Sequence, residues 1–135
     1  MQKAFTMIEL LIVMAVIAIL SGIILFSVFQ YINLGKDSNI AGNLSVLVPA
    51  GEIYYNNSGS YEDFCESEIV KNSFSQMPQN PNGAWCSVSV SGEKWAACAV
   101  KFSSSEKAFC VDSRGVKKDI NSDSCNANIT ECIIN

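Results

Sequence analysis

The chain has 135 residues, a formal net charge of −4 and no histidine, a length that suits one small domain plus an extension. The acidic balance and the lack of a basic cluster exclude nucleic acid as the main partner. Without histidine most triad and general-base chemistry is gone, and no Ser, Cys or Thr has an evident activating neighbour, so no catalytic residue and no enzyme is predicted.

Residues 1 to 4 (MQKA) form a short basic tag ending in a small residue, and an almost unbroken apolar block runs from Phe5 to Phe29. At about 1.5 Å per residue such a block crosses a hydrocarbon core of roughly 30 Å. The lone lysine before it, Lys3, agrees with the positive-inside tendency and places the N-terminus on the cytoplasmic side. The block holds one ionisable residue, Glu9, and no charge follows until Lys36. A charge there costs on the order of 2.5–3.5 kcal/mol by insertion scales, so it calls for a partner. Cleavage between Ala4 and Phe5 would supply one: a free α-amine four residues, or about 6 Å of helix, from Glu9. Copies staggered by that distance would pair the amine of one with the carboxylate of the next. An ordinary secretory signal or a plain anchor leaves Glu9 unexplained, and the apolar run exceeds usual signal length.

Ala4-Phe5-Thr6-Met7-Ile8-Glu9 followed by LLIVMAVIAIL closely resembles the class III signal of type IV pilins and pseudopilins. In that superfamily a prepilin peptidase cuts before the Phe and methylates its nitrogen. The resemblance covers about the first 30 residues. Two positions depart from it: Ala4 stands where the family nearly always has Gly, and Met7 replaces the usual Leu. The resemblance implies Ala4 and Phe5 as processing residues and Phe5 and Glu9 as assembly residues. It also implies an α+β pilin fold, in which a long bent N-terminal helix packs on a small disulfide-stapled antiparallel sheet. Its implied partners are further copies of the chain, the prepilin peptidase, a pilus platform protein, and assembly and retraction ATPases.

Within the block, Ser21-Gly22 marks either a place where the helix softens or a close helix contact. Phe26, Phe29 and Tyr31 read as bilayer-edge anchors in preference to an electron-conducting stripe. The predicted organisation is a leader at 1–4, a membrane and filament-core helix at 5–34, an amphipathic helix at 35–57 and a globular head at 58–135. Ile40, Leu44, Leu47, Gly51 and Tyr54 recur at helical spacing with Val48 and Tyr55 beside them. Gly42 and Pro49 predict a bend, and Asn56-Asn57-Ser58-Gly59-Ser60 predicts the stop; the run from Ile53 to Tyr61 is also similar to the end of the long helix in many pilins.

Residues 62–74 suggest a short helix with Phe64, Ile69 and Phe74 inward, and 76–83 (QMPQNPNG) a loop. Strands are predicted at 85–90, 94–102 and 108–112, with turns at Ser91-Gly92 and Ser103-Ser104-Ser105, giving an antiparallel meander. FCVDSRG (109–115) resembles a strand-and-turn ending of small bacterial pilins. The segment 116–135 reads as a polar tail.

The six cysteines, Cys65, Cys86, Cys98, Cys110, Cys125 and Cys132, all follow the apolar block. An even count in a small extracytoplasmic head predicts disulfides, with fifteen connectivities open for six residues. Irregular gaps without CxxC or histidine disfavour zinc. Asp119, Asn121 and Asp123 have the alternating oxygen ligands of an EF-hand start, but Ser124 stands where Gly is needed and Thr130 at the twelfth place, so a calcium site competes with a solvated turn. Calcium in C-terminal loops is known among pilins by resemblance, and no other cofactor is predicted. Asn43, Asn56 and Asn128 lie in glycosylation sequons.

The predicted function is that of the major subunit of a type IV pilus. The subunit is expected as a single-pass protein of the cytoplasmic membrane before assembly and in an extracellular filament afterwards. A pseudopilin of a secretion or DNA-uptake system is the alternative within the superfamily. A membrane-tethered binding module is the alternative of another class, and a membrane-anchored hydrolase is the more distant one.

Overall fold

The computed structural model describes residues 4–80 and 83–133. The leader positions Met1, Gln2 and Lys3, the loop residues Pro81 and Asn82, and Ile134 and Asn135 of the tail lie outside the described residues. The chain divides into two compact units, Met1–Asn33 and Leu34–Asn135.

Helix α1 spans Met7–Ser58. Its part up to Asn33 is apolar and its large side chains stand exposed, Phe26 and Phe29 among them. The helix is long and apolar enough to cross a membrane. Neither Gly42 nor Pro49 ends it; Pro49 lies on the exposed side, while Leu44, Leu47 and Gly51 are held by packing.

In the second unit α1 buries Asp37, Ile40, Leu44, Leu47 and Gly51, at alternating spacings of three and four, one helical stripe. The expected stripe is therefore present through Gly51; Tyr54 and Val48 are partly buried beside it, and Tyr55 is largely exposed against the Tyr61 ring. Tyr54 Oη donates to the Glu62 carbonyl at 2.6 Å, fastening the turn that follows the helix. Asp37 accepts from the Phe102 N–H at 2.6 Å and the Ser103 N–H at 3.2 Å, so a carboxylate on the helix caps the loop between two strands.

A short 3-10 turn, Phe64–Glu66, leads into α2, Glu68–Gln76. Phe64 and Val70 point inward, and Phe74 packs at the margin. The expectation that Ile69 is inward is corrected: it is exposed, because starting α2 at Glu68 puts Val70 and Ser73 on the buried face.

Four strands follow, β1 Ala84–Val88, β2 Trp95–Val100, β3 Lys107–Asp112 and β4 Lys117–Asn121, in one antiparallel sheet of order β1-β2-β3-β4. Three of these are the predicted meander with shifted ends. Val90, the last residue of the predicted first strand, is fully exposed: Ser89 N–H bonds to the Lys94 carbonyl and Gly92 N–H to the Ser89 carbonyl, so the chain is already turning there. The fourth strand corrects the reading of 116–135 as a polar tail. KKDIN has a single apolar residue, Ile120, and as an edge strand it needs only that one buried.

Every residue of β2 is buried, because the sheet is covered on both faces. Trp95, Ala97 and Ala99 alternate toward α1, joining Ile40, Leu44, Leu47, Phe64 and Val111. Ala96, Cys98 and Val100 face the other way, with Ala108, Cys110 and Ile120. That outer face is covered by the C-terminal segment through Cys125, Ile129 and Cys132. Three disulfides close the head: Cys65–Cys86, Cys98–Cys125 and Cys110–Cys132.

Candidate functional site

The residues with predicted roles in processing and assembly lie at the start of α1. Ala4, Phe5 and Thr6 precede the helix in irregular, exposed backbone. A peptidase can engage the Ala4–Phe5 bond only in such backbone, since a helical peptide bond must first be unwound.

Glu9 stands in the first turn. Its Oε2 accepts from the Thr6 N–H and from Thr6 Oγ1, both at 2.9 Å, and Thr6 Oγ1 in turn accepts from the Glu9 N–H at 3.4 Å. This is a capping box: threonine at the N-cap and glutamate three residues on satisfy each other's free backbone donors. A negative charge in the first turn also sits favourably against the positive end of the helix dipole.

Among the described residues Glu9 meets no cation, but it does have a hydrogen-bond partner in its own chain. Its partner is Thr6, whose Thr-x-x-Glu spacing is legible in the sequence once the carboxylate is weighed as a hydrogen-bond acceptor as well as a charge. The box uses one carboxylate oxygen. Among the described residues no donor meets Oε1, which leaves a directed acceptor on an exposed surface. The Thr6 N–H belongs to the bond between Phe5 and Thr6, so cleavage after Ala4 would leave the box intact and put a free amine beside it.

Of the residues considered for calcium, Asp119 has a partner in the sheet. Asp119 lies in β4 with its Oδ2 at 2.8 Å from Lys101 Nζ, Asn121 ends that strand, and Asp123 is in the 3-10 turn Ser122–Ser124. Among the described residues no group of three or more His, Cys, Asp or Glu side chains is gathered to hold a metal. Of the sequon residues, Asn43 bonds through Nδ2 to the Asn39 carbonyl and side chain, Asn56 is in the last turn of α1, and Asn128 is exposed in the C-terminal segment.

Two polar sites were not foreseen: Asp37, described above, and Asp112. Asp112 is fully buried at the end of β3. It accepts from the Arg114 N–H, Nε and Nη2, from the Val116 N–H and from the Cys132 N–H. Burial pushes its carboxyl up, but the Arg114 guanidinium and the backbone donors of Cys132 and Arg114 outweigh that and hold it below the ordinary aspartate range.

Comparison with curated proteins and with solved structures returns no match. The family described as the prokaryotic N-terminal methylation motif matches residues 1–25. The chain thus carries at its N-terminus the methylation motif that is the class III signal of type IV pilins.

Proposed function

We propose that this chain is the major subunit of a type IV pilus, made as a prepilin, cut between Ala4 and Phe5, methylated at Phe5, and assembled into a surface filament. The reading rests most on Glu9. It is the one charge between Lys3 and Lys36, and among the described residues nothing donates to its Oε1 while Oε2 is held by Thr6. An acid fixed in that way inside an apolar helix suits a cation presented by another copy, and the Phe5 amine of a neighbour shifted by about 6 Å is such a cation. The apolar helix would leave lipid for an equally apolar filament core. Burial would then supply little net drive, and packing and the Glu9 pairing would set the register.

In this reading the subunit waits in the cytoplasmic membrane with residues 1–4 on the cytoplasmic side, where a prepilin peptidase meets it; a platform protein and ATPase motors drive extraction. The test is Glu9→Ala in cells that assemble the filament. The variant is expected in the membrane fraction at normal abundance, with no filaments in electron micrographs. Normal piliation would remove the mechanism, and short or absent fibres from the unaltered chain would point to a pseudopilin.

A further inference from the structure

Cys98 and Cys110, both fully buried, are direct partners across β2 and β3, and Cys125 and Cys132 lie against them in the same cluster. Lys101 N–H donates to the Lys107 carbonyl and Ser113 N–H to the Trp95 carbonyl, so the hydrogen-bonded pairs of this ladder fall on odd-numbered residues. Cys98 and Cys110 are therefore a non-hydrogen-bonded pair. Such pairs hold their Cα atoms about 4.5 Å apart with side chains close, within the span a disulfide bridges. A cross-strand bond is in reach, yet each strand cysteine bonds to one in the C-terminal segment.

A feature beside the cluster accounts for the choice. Asp112 follows Cys110 by two residues and so faces the same side of β3. Its Oδ2 takes the Cys132 N–H at 2.9 Å, while Arg114 Nη2 bonds that same oxygen at 2.6 Å and donates to the Cys132 carbonyl at 2.9 Å. Both backbone polar groups of Cys132 are thus gripped, and neither bond involves its sulfur. We infer that the Asp112–Arg114 pair is a docking template that seats Cys132 against Cys110 and thereby selects the pairing within the four-cysteine cluster. Asp112 and Arg114 act as positioning residues for a bond made by two others.

The chemistry is thiol–disulfide exchange with a small disulfide such as oxidised glutathione. The Cys110 thiolate attacks it and releases one glutathione thiolate. The Cys132 thiolate, held in place, then attacks the mixed disulfide, forming the protein bridge and releasing the second. Two electrons pass from the cysteine pair to the glutathione pair, and the two thiol protons pass to the released thiolates.

The test uses the full chain in detergent micelles, reduced, reoxidised in a glutathione redox buffer and mapped by mass spectrometry of its fragments. The wild type is expected to return Cys98–Cys125 with Cys110–Cys132 as its dominant product. Asp112→Asn replaces an acceptor with a donor among five N–H groups, and Arg114→Met removes the grip on the Cys132 carbonyl from a partly exposed position. Among products that keep Cys65–Cys86, each should lower the native share toward the one in three that chance pairing of the other four cysteines gives, with Cys98–Cys110 among the products. Lys94→Gln, which removes a different ion pair to Glu131 beside Cys132, should keep the wild-type distribution. Native pairing at the wild-type share in Arg114→Met would overturn the inference, whether or not Asp112→Asn folds. So would variants that oxidise more slowly but to an unchanged distribution.

Discussion

Thr6 and Glu9 close a reciprocal cap at the start of α1, with the Thr6 N–H and hydroxyl both 2.9 Å from Glu9 Oε2. The acid is thereby oriented by its own chain. Losing a threonine cap costs about 1 kcal/mol, confined to the first turn. Thr6→Ala should therefore leave the rest of α1 and the head unchanged while fraying residues 7–10 and lowering filament yield several-fold, and Thr6→Ser should restore both. Amide exchange in micelles reads the fraying and the sheared filament fraction reads the yield. Unchanged protection and unchanged yield in Thr6→Ala would show that the cap has no part in assembly.

Processing offers a more direct check. Ala4 and Phe5 lie in exposed, non-helical backbone, open to a peptidase, and the proposed cut would follow Ala4 in place of the usual glycine. Intact-mass measurement of the purified filament subunit should give a chain beginning at Phe5 with one added methyl group. Ala4→Gly should raise the cleaved fraction in a short pulse. A mature protein that keeps residues 1–4, or that has lost the apolar segment, is incompatible with the proposed function.

Within the head, Gly51 of α1 lies directly against Trp95 of β2. A Cβ at Gly51 would meet the Trp95 indole at 2.7, 2.9 and 3.0 Å, and that ring is fully buried with no room to turn away. Gly51→Ala should destabilise the head by about 1–3 kcal/mol, as overpacking does. Gly42, in the same helix, has nothing within 4 Å of its added Cβ, and Gly42→Ala should stabilise by up to about 1 kcal/mol through helix propensity. Thermal unfolding should move in opposite directions for the two; a shared sign would mean that propensity or packing alone controls this helix.

How much of this was legible in the sequence follows from what each feature depends on. The stripe Ile40, Leu44, Leu47, Gly51 is a local pattern and appears where periodicity puts it; the first three strands appear with shifted ends. Strand β4 was hidden because an edge strand with one apolar residue has no alternation to read. Ile69 and Val70 are adjacent and equally apolar, so only the start of α2 decides which is buried. The Thr6 cap is written as Thr-x-x-Glu, but a carboxylate within an apolar run also reads as an intermolecular charge. Asp37 and Asp112 resemble ordinary surface acids; their burial is imposed by loops and a C-terminal segment far along the chain. The disulfide pairing likewise depends on the register of β2 against β3, which the cysteine spacing does not contain.

The bridge Cys65–Cys86 ties the turn after α1 to edge strand β1 across 21 residues of sequence. In the loop-entropy picture such a closure contributes about 2–4 kcal/mol. The double variant Cys65→Ser with Cys86→Ser should lower head stability by that amount and loosen β1 first, since that strand has a sheet neighbour on one side alone. Denaturant unfolding with amide exchange tests both parts. Equal loss of protection in β1 and β3 would show that the bridge supports the head as a whole.

The last expectation concerns acid. Asp112 is held below the ordinary aspartate value of 3.8 because the Arg114 guanidinium and backbone N–H groups outweigh its burial. A carboxylate whose folded pKa is depressed contributes stability that is fully present above the unfolded value and is lost as pH falls through the folded one. The grip on Cys132 should therefore be intact at pH 5 and above, begin to weaken below about 4, and be lost further down as Asp112 protonates. The disulfide Cys110–Cys132 keeps the C-terminal segment attached, so the change is local. Amide exchange at Cys132 and Val116, whose N–H groups bond Asp112, should accelerate below pH 4 beyond the intrinsic pH trend, relative to Ser113, whose N–H bonds the Trp95 carbonyl. In Asp112→Asn the differential should vanish, because no proton is taken up there. A differential that persists in that variant would assign the acid response to another carboxylate.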